Sequence, residues 1–223
     1  MKTKQPDITR TKILTAAFQE IHRCGFQAAS INNILADTGL TKGALYHHFP
    51  NKHALGLAVI DEVIREQLEN DICLPLENSN NAIDTLLQVL QQLIIKFDEE
   101  QTKLGCPFNN LMQEMSPLDE TFRIHLTSIL MRLQRVIATS LSSAKQCGQL
   151  KHDVNPDAIA MFVVATYTGC VGTAKSLQSV KTFQTSIQQL MEYVRSLKCS
   201  VQTEHLYGQI FNYPSRVPVP LHL

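Results

Sequence analysis

Between Gly39 and Pro50 the chain has room for a helix of about two turns and no more. Gly39 tolerates the positive φ that ends a preceding helix. Thr41 is a good N-cap, since its hydroxyl can accept from amides two or three residues on, so a helix begins near Lys42. Pro50 lacks an N–H, clashes backwards and pushes Phe49 out of the α region. Within the stretch Leu45 and Phe49, four apart, share one face, while Lys42, Gly43, Ala44, Tyr46, His47 and His48 spread over the rest. So short a helix, with one apolar anchor side, buries little core. Its outward cation, small residues, phenol and imidazoles suit a nucleic-acid groove.

The residues around it complete a unit. A helix is expected from Asp7 or Thr9 to about Cys24, with Ile13, Leu14, Ala17, Phe18 and Ile21 on one buried stripe and Gly25 closing it. Ser30 reads as the N-cap of a second helix, Ile31 to Asp37, and Thr38-Gly39-Leu40 turns it into the short third helix. Three helices whose last two meet at a glycine-bearing turn make a helix-turn-helix. Asn51 then caps a fourth helix, carried by Leu55, Val59, Val63 and Ile64 to about Asn70, which links this unit to the remainder.

Charge supports the division. The whole chain is neutral, yet residues 1–60 carry seven Lys/Arg against three acids, a net +4 that leaves −4 for the rest. A basic first quarter on an acidic body favours a polyanion at one end only. No apolar run of span length and no signal-peptide core is evident, so a cytoplasmic protein is expected. The six cysteines are scattered without a C-x-x-C pair, which argues against zinc or a disulfide scaffold. The adjacent His47 and His48 point roughly 100° apart on a helix and lack a third ligand, so no metal or other cofactor is expected.

Few aromatics and long Leu/Ile/Ala/Gln-rich segments predict an all-α fold of about nine helices. A loop is expected over Asp71 to Asn81, where Pro75 and Asn78-Ser79-Asn80-Asn81 cluster. The fifth helix runs from Ala82 to about Asp98, with Asp98-Glu99-Glu100 as its solvated end. Pro107 opens the sixth and puts Cys106 at its N-cap, where the positive helix end lowers a thiol's pKa; the alternative is a small, buried and inert cap residue. Helix seven spans Leu118 to about Gln146 and is capped by Gly148; His125 and Arg132 on it face either a pocket or solvent. Asn155 and Pro156 start helix eight. Its residues Ala158 to Ser176 are apolar nearly all round and need cover on both sides. Helix nine, Thr182 to about Leu197, offers one cover. Residues 199–223, with Pro214, Pro218 and Pro220, read as an extended tail.

The segment Gly25-Phe26 through Ser30-Ile31, followed by Thr38 to Lys52 with Ala54-Leu55, closely resembles the DNA-binding domain of the TetR/AcrR family of bacterial transcriptional regulators. The resemblance covers roughly residues 8–56. It implies a homodimeric repressor with a DNA-binding domain over 1–52, a ligand-binding and dimerisation domain over 53–198, and helices eight and nine paired with their copies. A double-stranded DNA operator, palindromic in outline, and a small-molecule effector are its implied partners. Lys42 can reach guanine or a phosphate, Gly43 and Ala44 allow close approach to base edges, and Tyr46, His47 and His48 can contact phosphate, sugar or base. Lys52 reads as a phosphate clamp, and Ser30 and Thr41 lie at helix N-termini that attract phosphate oxygens.

The run Gly105-Cys106-Pro107-Phe108-Asn109-Asn110-Leu111 with Glu114 resembles a subgroup of that family in which Gly-Cys opens the sixth helix. Some members of the subgroup sense oxidants or electrophiles through the cysteine, and a lysine of the eighth helix can approach it; Lys175 holds the comparable place. An effector pocket is expected between helices five and eight, lined by Phe97, Cys106, Phe108, Met112, Phe122, Phe162 and Tyr167. Those side chains favour an apolar or electrophilic effector. A thiol-based sensor using Cys106 with the same head is the alternative. No nucleophile–base constellation or nucleotide-binding glycine loop is present, so an enzyme is not expected.

Overall fold

The computed structural model describes residues 8–199, and the expected polar arm 1–6 and all but the first residue of the tail 199–223 lie outside them. Among the described residues there are nine principal helices and one short extra turn, with no strand. The first three are α1 (Ile8–Cys24), α2 (Ile31–Ala36) and α3 (Lys42–His48). Ile13, Leu14, Ala17 and Ile21 of α1 meet Ile34, Leu35, Leu45, Phe49 and Leu55 in one core. The caps are those the sequence supplies: Ser30 accepts from Asn33, Thr41 from Ala44 and Asn51 from Ala54, each removing an orphan amide. Phe49 is extended (φ −132°, ψ 113°), as the following proline requires.

The fourth helix departs from expectation. Instead of ending near Asn70 it continues through the expected loop: Lys52–Val59, a π turn Ile60–Ile64, Arg65–Leu68, a second π turn Glu69–Cys73, and Leu74–Glu77, together α4. Pro75 does not break it because the turn just before is wide. Leu74 N–H bonds the carbonyl of Glu69, five residues back, and this register gives the proline ring room.

The body follows as α5 (Ala82–Lys96), α6 (Pro107–Met115), α7 (Glu120–Gln146), α8 (Pro156–Leu177) and α9 (Val180–Ser196). Asp98-Glu99-Glu100 is exposed but is a helix start and not an end. Asp98 accepts from Gln101 N–H and caps the short helix Glu99–Leu104. Helix α7 begins at Glu120 under an Asp119 cap, two residues later than expected. His125 and Arg132 are partly exposed, and Arg132 borders a surface space with Leu76, Glu77 and Arg135. Both hold α4: His125 Nδ1 lies 2.7 Å from Asp61, and Arg132 reaches Glu69 at 2.9 Å and Glu77 at 2.7 Å.

By length and apolarity α8 passes for a membrane span, against the expectation that no stretch would. It packs on α7 and α9 through Ala160, Val163, Val164, Val171 and Ala174, which are buried. Its other side leaves Met161 and Phe162 exposed, with Phe162 edge-on to Tyr193 of α9 at 5.0 Å.

Candidate functional site

In α3 the side chains divide as the spacing predicts. Leu45 and Phe49 are buried, Lys42, Gly43, Tyr46 and His47 face solvent, and Ala44 and His48 are partly covered. Tyr46 keeps 48% of its surface, a large value for an aromatic residue inside a packed three-helix unit. The His47 and His48 rings meet edge-on at 5.1 Å. The Ser30 and Thr41 hydroxyls are used within their own helices, bonded to amides at 3.1 and 3.2 Å. Lys52 is the least free of the expected contacts. It is partly buried, donates to the Gln27 carbonyl at 3.1 Å, and lies 4.7 Å from the centre of the Phe26 ring.

Below the head, α1, α4, α5, α6, α8 and the short helix enclose a cavity of about 300 Å³. A second, apolar space of about 40 Å³ adjoins it and shares Leu68, Ile72, Leu93, Cys106, Phe108 and Tyr167 with it. Of the residues proposed for an effector pocket, Phe97, Cys106, Phe108 and Tyr167 line this cavity; Met112, Phe122 and Phe162 do not. Met112 is partly buried against the core. Phe122 is fully buried where head meets body, 4.6 Å from the Phe26 ring, and Phe162 lies on the outer face of α8. The polar lining comes from residues that the sequence reading left out: His22, Gln67, Asp71, Lys96 and Gln101. Of these only His22 carried a signal, sitting four residues after Phe18 on one side of α1. Asp71 fell in the supposed loop.

Lys96 and Asp71 pair at 2.8 Å near the mouth. His22 Nε2 is 2.7 Å from the Gly105 carbonyl, and since a carbonyl only accepts, Nε2 carries the proton. Burial holds the imidazole below its ordinary pKa, with the Lys175 charge acting in the same direction. Burial likewise pushes the Tyr167 phenol well up, so it stays protonated.

Cys106 is the N-cap of α6, but the expected low-pKa thiolate is not found. Burial raises the thiol above its usual value, and the amides of Phe108 and Asn109 only partly oppose this. A helix end stabilises a thiolate that water also reaches; here the surface left to the residue opens on the cavity. The Lys175 ammonium donates to Asn110 Oδ1 at 3.4 Å instead of serving the thiol. Its stem crosses Gly105, where a Cβ would meet Lys175 Cδ at 2.9 Å.

Helix α6 joins this cavity to the head at both of its ends. At the first, Gly105 takes the His22 bond. At the last turn Glu114 accepts from the Phe26 amide at 2.9 Å and the Gln27 amide at 2.8 Å. Gly25 (φ +83°) makes that approach possible, since a Cβ there would lie 2.8 Å from Glu114 Oε2. His53 of α4 adds a contact to Asp119 at 2.9 Å. A helix-turn-helix head is thus bonded to a hollow helical body.

Comparison with known proteins agrees. Residues 13–59 match the family described as bacterial regulatory proteins, tetR family, and residues 82–190 match the tetracyclin repressor-like C-terminal domain. An uncharacterized HTH-type transcriptional regulator in the lacX 3' region of Lactococcus lactis is 36% identical over 138 residues, covering 60% of this chain and 69% of the relative. The HTH-type transcriptional repressor NemR of Escherichia coli K12 is 26% identical over 144 residues, covering 65% of this chain and 70% of NemR. The crystal structure of E. coli NemR in its reduced form superposes with a TM-score of 0.72 at 21% identity, over 86% of this chain and 97% of NemR. A TetR regulatory protein from Rhodobacter sphaeroides shares the fold with a TM-score of 0.75 at 24% identity, over 84% and 99% of the two chains. The chain belongs to the TetR family of bacterial regulatory proteins, and its fold is that of a DNA-binding transcriptional regulator.

Proposed function

We propose that this protein is a dimeric repressor that binds a roughly palindromic operator and leaves it when a small, predominantly apolar molecule fills the cavity beside Cys106. The observation that carries the reading is α6, with a cavity-lining cysteine at its first end and the Glu114 carboxylate bonded to the head at its last. Lys42, Gly43 and Ala44 read base edges. Tyr46, His47 and His48 contact backbone or bases, Lys52 and the N-terminal turns at Ser30 and Thr41 take phosphate, and residues 1–52 act as the reading domain. Residues 53–198 bind the effector and pair two copies through Met161, Phe162 and Tyr193 of α8 and α9. Filling the cavity moves α6 or α4, and the two heads change their spacing.

The test is to select DNA ligands from random sequence and measure operator affinity by fluorescence anisotropy while titrating small apolar compounds. Selection of an inverted repeat, followed by its release, supports the reading. Failure to bind DNA even at low salt removes it.

A second reading rests on Cys106 lining the cavity: the effector is an electrophile or oxidant that modifies the thiol. Because burial disfavours the thiolate, such a reagent would have to enter the cavity to react. Loss of release in Cys106→Ala, with operator affinity kept, supports this reading; an unchanged response removes it.

A further inference from the structure

Gln67 and Gln101 are exposed, so water can serve their amides; apart from these, two polar atoms of the cavity wall lack partners among the described residues. Tyr167 lines both spaces, and no hydrogen bond is made by its hydroxyl. His22 uses Nε2–H on Gly105, which leaves Nδ1 as a bare acceptor beside the Phe18 ring, whose centre is 5.6 Å from that of the imidazole. Neither atom is fully buried, since no fully buried side-chain polar atom in the described residues goes unbonded, and both residues line the cavity. A pocket with an unused donor and an unused acceptor selects a ligand that supplies the opposite of each, because an unpaired polar group on either side costs affinity.

Charge narrows the class. Among the described lining residues the cation is Lys96, and it is already matched by Asp71 at 2.8 Å. His22 is held neutral by burial, and Tyr167 stays protonated for the same reason. A carboxylate brought here would meet no unmatched cation on the wall itself, because Lys175 stands behind Gly105 with its ammonium on Asn110, and it would lose its hydration. Most of the remaining wall is apolar, including Phe18, Ile64, Leu93, Phe97, Phe108 and Val171, which favours a flat or compact apolar body.

We infer that the cavity takes an uncharged hydroxyaryl-carbonyl compound, its carbonyl oxygen accepting from Tyr167 O–H and its hydroxyl donating to His22 Nδ1. This rests on the effector-cavity reading above and adds the ligand class to it. It involves no bond to Cys106, whose thiol packs against the bound molecule.

Isothermal titration of the full-length protein at neutral pH, where His22 keeps a bare acceptor nitrogen, tests it with four probes: para-hydroxyacetophenone, para-ethylphenol, acetophenone and para-hydroxybenzoate. The hydroxyketone is expected to bind about ten-fold more tightly than para-ethylphenol, which lacks the carbonyl, and than acetophenone, which lacks the hydroxyl. In Tyr167→Phe the ratio of hydroxyketone to para-ethylphenol affinity falls to about one. Equal wild-type affinities for the hydroxyketone and para-ethylphenol overturn the inference, as does tightest binding of para-hydroxybenzoate. These ratios decide the matter on wild-type protein alone should Tyr167→Phe not fold. If para-ethylphenol binds and the carbonyl brings nothing, the ligand class fails while the effector cavity stands; if no probe binds, both fail.

Discussion

Glu114, in the last turn of α6, accepts the Phe26 amide at 2.9 Å from a position 88 residues further along the chain. With the Gln27 amide at 2.8 Å it makes the carboxylate a cap for the loop that follows α1. The same carboxylate takes two amides that no helix satisfies and fastens the reading head to the cavity wall.

Glu114→Ala is therefore expected to cost about 1–3 kcal/mol, since two amides lose a charged acceptor. Thermal unfolding should show a lower midpoint. Operator affinity should change little, while effector-induced release, followed by anisotropy, should be blunted. Full release in the variant would assign the coupling to α4 alone.

Gly56 of α4 sits where Phe26 and Phe122 cross. A Cβ there would come within 2.4 Å of Phe26 Cε2 and 2.8 Å of Phe122 Cζ. Gly56→Ala should destabilise by about 1–3 kcal/mol through overpacking, although alanine favours helix, and urea titration reads the sign directly.

Lys42→Ala removes an exposed cation from the start of α3 and should reduce the slope of log affinity against log salt by about one if the contact is to phosphate. A loss of discrimination at one base pair with an unchanged slope would place Lys42 on a base instead. Thr41→Ala, which removes the hydroxyl bonded to the Ala44 amide, should cost about 1 kcal/mol of stability as well as affinity.

Phe162→Glu places a charge on the exposed side of α8, beside Tyr193. In a two-fold assembly the change counts twice, so sedimentation should show monomer at concentrations where the wild type is dimeric. Operator affinity should fall with it. An unaltered dimer would move the interface elsewhere.

The His22 latch carries a pH dependence. Its imidazole titrates below the ordinary value of about 6.5 in the folded chain, so between the two values the unfolded chain binds the extra proton. Its contribution is thus present above about 6.5 and is lost as the pH falls towards the folded value. A stability profile across mildly acidic pH should decline, and His22→Gln should flatten that decline.

What the sequence made legible is local. Ser30, Thr41, Asn51 and Asn155 are caps because a side-chain oxygen meets an amide three residues on, and Pro50 stops α3 through its own ring; neither needs a distant partner. The cavity depends on partners. Phe97, Phe122 and Phe162 are alike by type and by helical spacing, yet one lines the cavity, one fills the junction with the head and one lies on an outer face. Periodicity gives a residue's side of its own helix, not what that side meets. Cys106 shows the same limit, since its place at a helix start was legible, but the sequence could not choose between an activated thiol and a buried one, and burial reverses the effect on the thiol. Asp71 was lost to the lining because Pro75 reads as a breaker, and only the π turn before it makes room.

The two π turns of α4 give the rod spare length. Each closes its hydrogen bonds one residue wider than the turns around it, at Ile60–Ile64 and Glu69–Cys73. Deleting one residue inside either turn converts it to ordinary α-helix and leaves both flanking segments in phase, whereas a deletion at Arg65–Leu68 turns Asp71 and Ile72 by about 100° away from the cavity. Over evolutionary time such a helix can change its length between reader and sensor in single-residue steps. Each step resets how far the head stands from the cavity without repacking either one.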